Sequence, residues 1–109
     1  MTFRPTEHAY RRDIYAPLLA TLDISDPGEW WAGPDWRGEV IDRAAAMAGA
    51  PLADLRYGGR RADLVLRRMH FCHLLARRGW TPQRIADVLQ CDRSSVSYLL
   101  RRYATVRAQ

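Results

Sequence analysis

At 109 residues and 12.6 kDa the chain has room for one domain and a short arm. Hydrophobic residues make up 48% and charged residues 27%, which excludes disorder by composition, and there is no run of apolar residues long enough to cross a membrane. The net charge of +5 is unevenly divided: residues 1–55 hold five arginines against nine acids (−4), and residues 56–109 hold twelve arginines against three (+9).

A half with that excess suits a polyanion, and nucleic acid is the commonest one. A membrane surface would want a basic amphipathic helix with a greasy exposed face. All 17 basic residues are arginine. A GC-rich genome produces that bias, and arginine also suits forked phosphate and guanine contacts. The opening stretch MTFRPTEHAYRRD lacks the apolar run of a secretory leader, and Cys72 and Cys91 make no disulfide framework. The expectation is a cytoplasmic, nucleoid-associated protein with two free thiols.

In chain order, residues 6–16 read as a helix with Tyr10, Ile14 and Tyr15 partly on one face. Pro17 interrupts or kinks it, and Leu18, Leu19 and Leu22 continue the apolar content. Residues 25–38, SDPGEWWAGPDWRG, read as a structured loop. Trp30, Trp31 and Trp36 either cover the core behind them or offer a protein partner, or a second copy of the chain, a surface. Residues 1–37 are thus an acidic, Trp-rich arm, and 38–109 the main domain.

From Glu39 to about Ala48, Val40, Ile41, Ala44, Ala45 and Ala48 make a helical stripe that Gly49 stops. The short PLADLR leads to Tyr57-Gly58-Gly59, a turn with two residues free to take positive φ. A long helix is expected over about 61–77, with Ala62, Val65, Leu66, Met69, Cys72, His73 and Ala76 on one face and Gly79 at its end.

Residues 81–103, TPQRIADVLQCDRSSVSYLLRRY, read as a helix-turn-helix. Thr81 caps a helix that opens with Pro82, and Ile85, Ala86 and Leu89 form its inner face. The small Ala86 allows the two helices to cross closely. Cys91 and Asp92 fill the turn, with the Asp92 carboxylate expected to accept from the amides opening the next helix. Val96, Leu99, Leu100 and Tyr103 point inward, leaving Ser94, Ser97, Tyr98 and Arg101 as an outward stripe. Short hydroxyl residues let such a helix sink into a major groove and reach base edges, while arginine grips phosphate or guanine.

From about Gly38 to Tyr103 the chain resembles the C-terminal DNA-binding domain of the bacterial replication initiator DnaA, a Trp-repressor-like all-α fold. The resemblance rests on PLADLR, on the arginine-bearing loop RYGGRRADL at 56–64, on the long helix, and on the helix-turn-helix. Asp92-Arg93-Ser94-Ser95-Val96 stands where the family has Asp-His-Thr-Thr-Val. By resemblance, Asp92 to Ser95 approach major-groove bases and Arg60 or Arg61 reaches the adjacent minor groove, where arginine is favoured in narrow A·T-rich DNA. Serine lacks the methyl that packs on thymine, and Leu89-Gln90-Cys91 replaces the family's Gly-Gly-Arg, so the site read need not be the initiator's. A chain without lysine holds no GxxxxGK[ST] loop, so the initiator's ATPase activity is not expected of these residues.

The expected function is sequence-specific binding of double-stranded DNA by a small transcriptional or replication regulator of phage or plasmid type. Asp92, Arg93, Ser94, Ser95, Ser97 and Tyr98 are assigned to bases. Arg60, Arg61, Arg67, Arg68, Thr81, Arg101 and Arg102 are assigned to phosphates or the minor groove. The alternative is a protein-interaction module that grips host replication or transcription machinery through the acidic arm. His70-x-Cys72-His73 suggests zinc, but Cys72 lies about 200° round a helix from His70 and no CxxC accompanies it. Cys72 and His73 diverge as neighbours on a helix, and no carboxylates cluster in the basic half, so no enzyme, metal or cofactor is expected.

Overall fold

The computed structural model describes Tyr15, residues 17–22 and residues 38–108. Everything described is helix or turn, and the fold is all-α as expected. Tyr15 and residues 17–21 are helical, Pro17 included. The expectations for Tyr10, Ile14, the 25–37 loop and Trp30, Trp31 and Trp36 lie outside the described residues. Tyr15, Leu18, Leu19 and Leu22 pack against the core, so this part of the arm is attached to the domain.

Helix α1 spans Glu39–Ala48 and buries Val40, Ala44, Ala45 and Ala48, with Ile41 half-buried at the edge. Gly49 ends it at φ 85°, a left-handed conformation that glycine adopts without Cβ strain. Helix α2, Leu52–Tyr57, was not foreseen as a helix. Six residues are too few for periodicity to show, and so short a helix forms only with tertiary support. Leu55 supplies it by burying its side chain almost completely. In the turn that follows, Gly59 takes a positive φ of 84°, whereas Gly58 stays at −75°. Gly58 is needed for space instead: a Cβ there would stand 2.4 Å from the Asp54 carbonyl oxygen and 2.7 Å from Leu64 Cδ1.

Helix α3, Ala62–Arg77, is the central element and packs on α1, α2, α4 and α5. It buries Leu64, Leu66, Met69, His70, Phe71, Cys72, Leu74 and Leu75. This corrects the one-faced stripe read from sequence, in which Ala62, Val65, His73 and Ala76 are only half-buried. A helix surrounded by neighbours is apolar on more than one side, and its periodicity blurs accordingly. Two further helices follow, α4 at Pro82–Leu89 and α5 at Arg93–Arg107, and they pack on each other and on α3. Ile85, Ala86 and Leu89 of α4 are buried, as are Val96, Leu99 and Tyr103 of α5. Ala86 is fully enclosed, as a close helix crossing requires. Val106 extends the buried seam one turn beyond the motif read from sequence.

Among the described residues no helix is long and apolar enough to cross a membrane.

Candidate nucleic-acid interface

The interface is built on the α4–turn–α5 unit. Thr81 occupies the N-cap of α4, and its hydroxyl accepts from the Arg84 amide at 3.2 Å, with Pro82 following at the first helical position. The Thr81 hydroxyl is therefore engaged in the fold, although the residue is exposed. Helix α4 ends in a left-handed turn at Gln90, φ 58° and ψ 47°, closed by the Cys91 amide donating to the Ala86 carbonyl at 3.0 Å. Gln90 is the one non-glycine residue with positive φ among the described residues. Its side-chain oxygen accepts from the Tyr57 hydroxyl, which ties the turn to the end of α2.

Asp92 stands at the N-cap of α5, but its side chain makes no capping hydrogen bond. This corrects the expected carboxylate cap. The backbone carbonyl of Asp92 accepts instead from the amides of Ser95 and Val96, at 3.0 and 3.3 Å, and the carboxylate is left in solvent. Arg93, Ser94, Ser95, Tyr98 and Arg101 are all exposed, while Ser97 is half-buried. The outward ridge of α5 therefore carries Ser95 in addition to Ser94, Tyr98 and Arg101.

Beside this ridge runs a cleft of about 620 Å³. One wall is the start of α5, with Ser94, Ser95 and Tyr98; the other is the end of α2 and its turn, with Tyr57, Gly59 and Arg60. Arg68 lines the cleft as well. The two segments assigned to DNA, 56–61 and 92–98, are separated by thirty residues of chain and meet here.

Not every arginine of the basic half is available to a ligand. Arg67 donates to the Ala48 carbonyl at 3.0 Å, at the end of α1. Arg68 donates from Nε to the Leu55 carbonyl at 2.5 Å and from Nη2 to the Gly59 carbonyl at 3.1 Å. Arg56 donates to the Val88 carbonyl at 2.8 Å, at the end of α4. Arg61 pairs with Asp63 at 3.2 Å across exposed surface. Arg102 is half-buried, with its guanidinium 5.3 Å from the Tyr15 ring. Arg60, Arg93 and Arg101 are exposed, and among the described residues their guanidiniums have no partner.

The residues weighed for zinc are otherwise placed. His70 is fully buried, and its Nδ1 lies 2.6 Å from the Tyr103 hydroxyl. Burial pushes the Cys72 thiol up to about 12, so it stays protonated and apolar in character. Among the described residues no three His, Cys, Asp or Glu side chains converge to hold a metal ion.

Residues 63–107 match the family model of a homeodomain-like domain, which takes in all but the first residue of α3 and the whole of α4 and α5. The chain carries a helix-turn-helix domain. Within it α5 stands in the place of the recognition helix, the element whose N-terminal residues meet base edges in such domains. A helix-turn-helix of this kind supports DNA binding. No curated protein and no solved structure matches the chain significantly.

Proposed function

We propose that this protein binds double-stranded DNA in a sequence-specific manner and acts as a small regulator of transcription or replication. The carrying observation is the exposed ridge of Ser94, Ser95, Tyr98 and Arg101 on α5, set beside the arginine-bearing turn at one cleft. Helix α5 enters the major groove with its N-terminal end. Arg93, Ser94, Ser95 and Tyr98 meet base edges, with Asp92 and Ser97 at the margins of that contact. Arg101 holds phosphate, and Arg60 reaches the neighbouring minor groove or its phosphates. Of the two arginines also assigned to phosphate from sequence, Arg68 contributes by fixing the turn that presents Arg60, and Arg67 by closing the end of α1. The order α2, arginine-bearing turn, long α3 and helix-turn-helix supports the more specific reading of a domain similar to the C-terminal domain of DnaA.

A random-site selection on duplex DNA at physiological salt tests this. A defined site should emerge, and Arg93→Ala or Ser94→Ala should alter preference by about 1–3 kcal/mol at one base pair. Selection of no sequence, or an unchanged preference in both variants, refutes the base-reading assignment.

A further inference from the structure

Tyr57 and Tyr98 are the two exposed large hydrophobic side chains among the described residues, at 68% and 45%, and both line the cleft. They differ in what they offer. Tyr98 stands on α5 with its hydroxyl unbonded among the described residues, able to approach a base edge. The Tyr57 hydroxyl is already donated to the Gln90 side chain. The two residues before it are also held: Leu55 is buried with its carbonyl on Arg68, and Arg56 is bonded to Val88. The Tyr57 ring is therefore fixed in place while most of it faces water. What it presents is an apolar face, and ordering it on contact costs little because it is ordered already. Arg60 beside it, and Arg56 and Arg68 along the same wall, give the cleft the positive potential that draws in a nucleic-acid strand.

We propose that Tyr57 is a DNA-contacting residue whose fixed ring packs on the apolar face of a nucleotide in the strand that enters the cleft. That face is either a deoxyribose ring or a thymine C5-methyl group. The inference rests on the DNA-binding reading above and adds a residue of α2 to the contacts assigned there.

The test uses the full chain and its selected duplex, with fluorescence anisotropy measured across a salt series. Tyr57→Ala should bind roughly tenfold more weakly through the lost apolar contact. The slope of log affinity against log salt should stay unchanged, because no phosphate contact has been removed. Tyr57→Phe keeps the ring and should bind within about twofold of the wild type, since it loses only an exposed hydrogen bond. Both variants should melt near the wild-type temperature, the ring being mostly outside the core. Duplexes with single thymines replaced by deoxyuracil identify the nucleotide face. One such replacement that weakens the wild type but not Tyr57→Ala assigns the methyl; no such replacement, with the Tyr57→Ala loss intact, assigns the sugar. Wild-type affinity in Tyr57→Ala, or an equal loss in Tyr57→Phe, overturns the proposal and leaves the DNA-binding reading standing. Failure of the wild type to bind any duplex removes both.

Discussion

Arg67→Ala and Arg101→Ala delete the same charge and should do opposite things. The Arg67 guanidinium donates to the Ala48 carbonyl at 3.0 Å and lies against Gly49, where a Cβ would stand 1.9 Å from its Nη1. A hydrogen bond from a charged donor contributes about 1.5–3 kcal/mol, and half-burial places this one near the lower figure. Arg67→Ala should therefore lose about 1.5 kcal/mol, or roughly 6–12 °C in Tm for a domain of this size. Its slope of log affinity against log salt should match the wild type. Arg101 is exposed on the ridge of α5, and its guanidinium has no partner among the described residues. Its removal should leave Tm within about 2 °C, as exposed surface substitutions do. The salt slope should flatten by about 0.9, so between 50 and 200 mM salt the variant should lose about 3.5-fold less affinity than the wild type. Differential scanning fluorimetry and anisotropy titrations on the two purified variants give both readouts. A flattened slope with unchanged Tm in Arg67→Ala would refute the division of labour drawn here, because the guanidinium would then be on phosphate and not on the carbonyl.

Gln90 holds a left-handed backbone that costs a non-glycine residue about 1 kcal/mol, so Gln90→Gly should raise stability by about 0.5–1 kcal/mol in urea unfolding, even after losing the Tyr57 bond. Gly58→Ala should lower it by roughly 1–3 kcal/mol, because the new Cβ meets the Asp54 carbonyl and the Leu64 methyl, and a backbone oxygen does not swing aside. The Cys72 thiol is raised from 9.0 to about 12 by burial in the folded protein. Its contribution is complete below the unfolded value and is lost as pH climbs from about 9 towards 12, since only the unfolded chain gives up the proton there. Urea midpoints at pH 8 and pH 10 should fall more steeply in the wild type than in Cys72→Ala; parallel falls would contradict the assignment.

What the sequence made legible was its punctuation. Gly49 and Gly79 mark two left-handed helix ends, and Thr81-Pro82 marks the start of α4, because each is a residue type chosen for its backbone. Ala86, Val96, Leu99 and Tyr103 were readable because α4 and the start of α5 each bury one face. The ridge of Ser94, Tyr98 and Arg101 followed as the complement of that face. Helix α2 was hidden by its brevity, and α3 by being apolar on several sides. Gln90 gave no sign of its left-handed turn, since glutamine is not selected for that conformation and a tertiary contact with Tyr57 accompanies it. Asp92 was placed at the correct N-cap position, but the rotamer that leaves its carboxylate in water is not written in residue type.

The arginines mark the deeper limit, and they also show why the charge argument survives it. Helices α1 and α4 have no basic residue in their own last turns. Each receives a guanidinium from elsewhere: Arg67 of α3 reaches the Ala48 carbonyl across 19 residues, and Arg56 of α2 reaches the Val88 carbonyl across 32. The cation satisfies a carbonyl that the helix leaves over and sits at the negative end of the dipole. No local pattern announces such a partner, so composition alone assigns every arginine to the ligand. A carbonyl, however, is neutral. An arginine bound to one keeps its full charge, unlike Arg61, which is partly offset by Asp63. Arg56 and Arg68 both line the cleft while holding carbonyls, so their field still falls on whatever enters between α2 and α5. The same guanidiniums thus close the helices of the domain and leave its basic half basic.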